Sequence, residues 1–361
     1  MKTELDDIKY LVEIDKLNMQ KHLADFPQQC QEGIEIGKKF PLLKFDISRI
    51  KNIVIAGMGG SAIGGDLLRS YLIDELSIPL SVVRNYTLPA FVGKQSLVIV
   101  SSYSGNTEET LSCYQIAKRQ KAHILCITSG GELKKMALQD KFPVISISPN
   151  LPPRAALGYS FFPLLICLIK NEIVRRKEKE IKETISLLEN LRELYSPQNP
   201  FERNKAKELA FLLKDKLAIF YSSADHLETV ALRWRNQLNE NAKMLAYSHT
   251  FPELNHNEIV GWEVLKKIMK ETVVVLLQDK SDHLRNRRRM EITQEIMATE
   301  CANFITVESM GRFLLSRIFS LIYLGDYVSL YLAVLNKVDP TPVKAIDYLK
   351  LKLSEKPFGR K

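Results

Sequence analysis

"IAGMGGSAIGGD", residues Ile55 to Asp66, and "VSSYSGNTEET", residues Val100 to Thr110, are glycine- and hydroxyl-rich turns, each placed directly after an apolar run. Two such turns on neighbouring strands suit a phosphorylated ligand, and a dinucleotide, a nucleoside triphosphate and a sugar phosphate are the candidates. Gly57, Gly59 and Ala62 satisfy the GxGxxA fingerprint of a dinucleotide site. That site also needs an acidic residue at the end of the next strand, to hold the ribose hydroxyls. Here "PLSVV" ends in Arg84, Asn85 and Tyr86, which argues against NAD, although an arginine suits NADP. No GK[ST] follows any glycine cluster, so a P-loop is excluded. A phosphate monoester without a nucleotide remains.

Outward from these turns, the chain repeats strand, polar turn and helix. "NIVIAGMGG" reads as strand and turn, and "SAIGGDLLRSYLID" as the helix after it. "IPLSVVRNY", "QSLVIVSSYSGNTEETLSCYQIAKRQ", "AHILCITSGGELKKMALQ" and "PVISISPN" continue the alternation. Short β-branched runs between helices of ordinary length predict βαβ units and a parallel sheet. Residues 1–50 read as a helical lead-in and 51–170 as a first α/β domain. Residues 171–210, with "NEIVRRKEKEIKETISLLENLRELY" and the break "SPQNP", read as a charged helical connector. Residues 211–361 restart the pattern with "LAIFYSSADHLETVALRWRNQLNENAK", further strands at "TVVVLLQDKSD" and "NFITVES", and an apolar helix over Phe313–Leu335. The expected fold is therefore α/β: two doubly wound parallel-sheet domains related by a weak internal duplication.

Composition narrows the function. The 361 residues are 45% hydrophobic and 26% charged, as in a globular protein with a filled core. The net charge of +9 comes from 51 basic residues interleaved with 42 acidic ones, which is a solvated surface rather than a nucleic-acid footprint. The densest basic run, Arg285 with Arg287 to Arg289, has no neighbouring aromatic residue, so no nucleic-acid partner is expected. Five scattered cysteines (Cys30, Cys113, Cys126, Cys167 and Cys301) form no CxxC pair and predict reduced core thiols in a cytoplasmic protein. "MKTELDDIKYLVEIDK" has no apolar signal region. The apolar run from Ala155 to Ile169 is shorter than a membrane span and contains Pro163, so no membrane partner is expected.

Ser102, Ser104 and Thr107 occupy a turn entering a helix, where free N–H groups and the positive end of the helix dipole attract an anion. Their hydroxyls add donors, and Gly105 lets the backbone approach. Neither a metal nor a lysine is needed for a dianionic sugar phosphate. The competing explanation is that these side chains merely cap the helix.

"SYSGNTEET" resembles the signature turn of sugar isomerase (SIS) domains, and "GMGGSAIGGD" resembles their first glycine turn. "PPRAALGYS" (Pro152–Ser160), "NQLNENAKMLAYSHTFPELNHNEIVGW" (Asn236–Trp262) and "DPTPVKAIDYLK" then resemble the bifunctional phosphoglucose/phosphomannose isomerases of archaea and bacteria. The resemblance runs in order from about residue 50 to 352 over five motifs. It implies two SIS domains and a substrate that is a hexose 6-phosphate. It also implies no cofactor, no metal, and a homodimer whose sites are shared between subunits.

Such an isomerase moves a proton between C2 and C1 and needs a base, a ring-opening group and a stabiliser of the enediolate. Glu240 in "QLNENAK" matches the family's base; its other reading is a solvated helix carboxylate. His256 in "ELNHNE" matches the ring-opening histidine, sixteen residues on, with His249 as its competitor. His22, His123, His226 and His283 read as structural or surface residues. Arg154, after Pro152 and Pro153, matches the arginine that faces the substrate. Gly60, Ser61, Ser102, Ser104, Thr107 and Pro153 match substrate-binding positions. A C-terminal lysine also approaches the substrate in the family: Lys350 is the expected one, with Lys344 and Lys352 as alternatives. The rivals are a non-catalytic SIS sensor of sugar phosphates, which has no need of Glu240 and His256, and aminosugar-phosphate chemistry, which brings a glutaminase domain with an N-terminal cysteine.

Overall fold

Residues 3–355 are described by the structure, a computed structural model. Helices α1 (Ile8–Ile14), α2 (Met19–Ala24) and α3 (Phe26–Lys39) lead into a sheet of β1 (Asn52–Gly57), β2 (Leu80–Val83), β3 (Ser96–Ser101), β4 (His123–Thr128) and β5 (Val144–Ser146). Between them lie α4 (Gly59–Leu72), α5 (Glu108–Arg119) and α6 (Gly131–Gln139). After α7 (Leu157–Lys170), α8 (Glu178–Tyr195) and α9 (Lys205–Leu213) come β6 (Leu217–Ser223), β7 (Ala246–Phe251), β8 (Thr272–Gln278) and β9 (Asn303–Glu308). Helices α10 (Glu228–Gln237), α11 (Lys266–Met269) and α12 (Leu284–Met297) separate those strands, and α13 (Leu314–Leu335) and α14 (Lys344–Glu355) close the fold.

Both sheets are parallel throughout, in the orders β2-β1-β3-β4-β5 and β7-β6-β8-β9. The central strands β1, β3 and β8 are apolar on both faces because helices cover both sides of a parallel sheet. In the first sheet the strand order reverses between β1 and β3, so the loops that leave these two strands diverge and open a crevice at their carboxyl ends. Those loops are the two glycine- and hydroxyl-rich turns.

One strand was not anticipated. β7, "AYSHTF", is an edge strand with only Phe251 fully buried, so its sequence lacks the apolar run that marks the others. The lead-in is also less detached than its composition suggests. Gln29 of α3 donates to the Ala155 carbonyl at 2.8 Å and accepts from the Gly158 amide at 2.7 Å, fixing the start of α7.

One large apolar core runs through both halves, with a smaller cluster on the outer side of each sheet. Phe161 of α7 meets Phe319 of α13 at 5.1 Å between ring centroids, and each such buried ring contributes roughly 1.5–3 kcal/mol. Helix α13 is long and apolar enough to cross a membrane by length and composition, yet it is wholly buried within the fold. It also carries Asp326, which is ion-paired to Arg233 at 2.7 Å. All five cysteines are free and buried.

Candidate active site

The signature turn is rigid before any ligand arrives. Gly105 has φ of +72°, and a Cβ there would lie 1.9 Å from the Gly130 carbonyl, so only glycine fits between this turn and the one after β4. Ser102 Oγ accepts from the Gly105 amide at 3.1 Å and lies 3.0 Å from Thr107 Oγ1. Ser104 Oγ accepts from the Asn106 amide at 3.2 Å. Thr107 occupies the N-cap position of α5, but its side chain makes no capping hydrogen bond. The Ser102 and Thr107 hydroxyls therefore meet across the turn, and the first N–H groups of α5 have no side-chain cap.

The first glycine turn is tied to the second. Ser61 Oγ accepts from the Tyr103 amide at 3.0 Å, leaving its own proton to donate. Gly60 sits so close to the next segment that a Cβ would lie 2.4 Å from the Pro153 carbonyl. Gly60 thereby abuts Pro153, and Ser61 is tied to the backbone between Ser102 and Ser104.

Arg154, next to Pro153, reaches residues of the second half. Its side chain is buried, and Nε donates to Asn241 Oδ1 at 2.5 Å. One terminal nitrogen donates to the carbonyls of Pro340 and Thr341, each at 2.8 Å, and the other lies 3.5 Å from Glu240 Oε2. Burial lowers the basicity of the guanidinium, and the Glu240 carboxylate counteracts it. Arg233, itself paired with Asp326, donates to the Arg154 carbonyl at 3.0 Å and steadies the backbone beneath it.

Glu240 is carried on a π-turn, Leu238–Ala242, that continues α10. Such wide turns re-aim side chains and recur at functional sites. The turn ends at Lys243, whose φ of +58° sends the chain into β7. Lys243 Nζ donates to the Glu240 carbonyl and, at 3.1 Å, to the Pro340 carbonyl. Asn241 Nδ2 bonds Ser329 of α13 at 2.9 Å. Asn241, Lys243 and the Pro340–Thr341 turn were not singled out in the sequence, although all lie within motifs that carry the resemblance.

Glu240 contacts Arg154 and Lys243, and His256 is not among its hydrogen-bond partners. Glu240 precedes β7 and His256 follows it, so the strand lies between them in the chain. His256 is exposed, with neighbouring Asn255 bonded to Thr293 of α12 at 2.9 Å. The other histidines have assignments of their own. His249 is bonded at 2.5 Å to Glu258, which Tyr221 also contacts. His226 bonds Ser70 and Asp74, His123 stacks on Phe45, and His283 caps α12. His22 lies within electrostatic reach of Arg154, on α2, and burial lowers its pKa.

The lysines of α14 lie on an exposed helix. Lys352 pairs with Glu355 at 2.8 Å and lies over Tyr348. Lys344 starts the helix, and Lys350 is exposed on its middle turn. Among the described residues no three His, Cys, Asp or Glu side chains form a metal-ligating group.

The equivalent crevice of the second sheet, between β6 and β8, is filled by the protein itself. Asp279 receives Arg317 at 2.7 Å together with the hydroxyls of Ser281 and Ser309, and Ser223 bonds Asp282 at 2.6 Å. Burial pushes the Asp279 carboxyl up, but these hydrogen bonds more than offset it and hold it below the ordinary carboxylate range. At the carboxyl ends of the second sheet an internal ion pair thus stands where the first sheet has its hydroxyl turn.

Comparison with known proteins agrees with this layout. Residues 46–139 match the SIS domain, and residues 202–353 match the bacterial phospho-glucose isomerase C-terminal SIS domain. The bifunctional phosphoglucose/phosphomannose isomerase of Caldicellulosiruptor bescii is 49% identical over 337 residues, which cover 93% of this chain and 99% of that protein. The protein of the same name from Thermoplasma acidophilum is 38% identical over 310 residues, covering 86% and 92%. A crystal structure of a hypothetical protein from Thermus thermophilus superposes with a TM-score of 0.75 at 14% identity, covering 99% of this chain and 94% of that one, and shares the fold. The chain belongs to the bifunctional phosphoglucose/phosphomannose isomerase family and is an isomerase of sugar phosphates.

Proposed function

We propose that the chain interconverts glucose 6-phosphate with fructose 6-phosphate, and mannose 6-phosphate with fructose 6-phosphate, without a metal. The carrying observation is the approach of Arg154 to Glu240 at 3.5 Å, with Arg154 following Pro153, which packs on the first glycine turn at Gly60. The phosphate is held by Ser102, Ser104 and Thr107 with the start of α5, while Gly60, Ser61 and Pro153 line the path toward C2. Glu240 takes the C2 proton and returns it to C1. Arg154 faces the oxygen on which negative charge develops, in a buried setting where a fixed cation stabilises it more than in water. C2 becomes planar in the enediolate and loses its configuration, so both aldoses share one ketose.

His256 gives a proton to the ring oxygen during opening, and a C-terminal lysine of α14, Lys350 foremost, approaches the sugar. The exposure of His256, with no hydrogen bond of its side chain to Glu240, supports a homodimer in which each subunit lends His256 to the other's site. The test is a coupled assay with both aldoses after exhaustive chelation. Turnover of both supports the reading, and turnover of neither, or only with added zinc, contradicts it.

A further inference from the structure

We infer that α14 is an exchanged clasp, which packs on the second copy of this chain against the segment that delivers His256. This inference rests on the two-subunit reading above. Every described side chain of α14 is exposed, and a twelve-residue helix so exposed is marginal in water. Three of its apolar residues nonetheless line one face, with Tyr348 and Leu351 on the other. Ile346, Leu349 and Leu353 recur at the spacing of one helical face, and they are 39%, 58% and 41% exposed. Lys350 falls on that same face.

The root of α14 is fixed at the site, because Arg154 and Lys243 hold the Pro340 and Thr341 carbonyls. A partner's His256 must arrive at that same site, and the residues that follow it in the chain form a second uncovered apolar face. Val260, Val264, Leu265 and Ile268 are 63%, 68%, 62% and 49% exposed, and Leu245, just before β7, and Tyr247, within it, add to them. At on the order of 200 Å² per large side chain, the two faces amount to roughly 1,000 Å² of apolar surface per subunit, enough for the ~800 Å² that each partner contributes to a standard interface. Two mutually apolar faces on one chain, meeting beside a site that lacks its histidine, satisfy the self-complementarity of a two-fold contact. Docking of α14 and completion of the site are then one event.

Ile346→Asp with Leu349→Asp tests this, neither residue being part of the catalytic machinery. Light scattering should show association weakened ~10²–10³-fold, with turnover recovering at high protein concentration. An unchanged dimer with unchanged turnover overturns the clasp while leaving the shared site intact. A wild-type protein that is active as a monomer overturns the two-subunit reading itself. Cross-linking keeps the proposal testable if the double variant fails to fold. All five native cysteines are buried, so Leu349→Cys protein mixed with Val264→Cys protein should yield a disulfide-linked dimer. Leu138→Cys, exposed on α6, should not yield one with either. A mixture without the Leu349–Val264 product overturns the proposal.

Discussion

Replacing Arg154 by methionine keeps an unbranched side chain of similar length and removes every donor. The structure assigns those donors to Asn241 Oδ1 and to the Pro340 and Thr341 carbonyls, with the Glu240 carboxylate alongside. A hydrogen bond from a charged group is worth about 1.5–3 kcal/mol, and the orphaned Asn241 oxygen is fully buried. Solvent replaces part of the loss at the 340–341 turn, so about 3–5 kcal/mol of stability should disappear, as when one partner of a buried ion pair is removed. The same change withdraws the cation beside the developing enediolate, which should lower kcat ~10²–10³-fold. Arg154→Lys separates the two effects. It restores a charge but cannot bridge Asn241 and the turn at once, so it should regain part of the stability and leave kcat at least ~10-fold low. Urea unfolding followed by circular dichroism reads the first quantity, and a coupled assay reads the second. Wild-type unfolding and wild-type kcat in Arg154→Met would refute the reasoning.

Ser104→Ala with Thr107→Ala should raise KM strongly, at roughly 1.5–3 kcal/mol per lost hydrogen bond to a charged group. An unchanged KM with only lowered stability would favour helix capping. Gly60→Ala should lower both stability and turnover, because its Cβ would press 2.4 Å from the Pro153 carbonyl; a fully active variant in the coupled assay would contradict that close approach. Mixing Glu240→Gln subunits with His256→Ala subunits should restore turnover absent from either alone, because one site of a mixed dimer is then intact. Absence of rescue after confirmed subunit exchange would place both residues in one chain's site. The Asp279 carboxyl, held below its ordinary value of 3.8, contributes stability that is full above ~pH 5 and lost as the pH falls through its native value. Asp279→Asn should therefore lower the urea midpoint at neutral pH and flatten its decline on the acid side.

Most of the fold was legible because parallel strands covered on both faces need continuous apolar runs, and "NIVIAG", "SLVIVS" and "TVVVLLQ" supply them. β7 escaped because an edge strand buries little, and its residues alternate with polar ones for reasons unrelated to a core. The hydroxyl turns were legible from residue type alone, since S-x-S-G-N-T after a strand leaves few other uses. Glu240 and Arg154 were individually suspected, but their meeting was not. It depends on a π-turn that no propensity signals and on carbonyls of Pro340 and Thr341, which carry no mark in side-chain chemistry. The closed second crevice was equally hidden. Its serines and aspartates look like a ligand site until Arg317, from the first turn of α13, is seen to occupy it.

Exchange of the C1 proton of fructose 6-phosphate with deuterated solvent, followed by proton NMR, tests the proton transfer most directly. The wild-type protein should wash the proton out while forming both aldoses. Glu240→Gln keeps the size and hydrogen-bonding shape of the side chain but cannot accept the proton, and a missing general base costs ~10²–10⁴-fold or more. That variant should still bind fructose 6-phosphate by calorimetry, since the phosphate is held by the hydroxyl turns, while losing the exchange. Exchange at the wild-type rate in Glu240→Gln would contradict the assignment of Glu240 as the base.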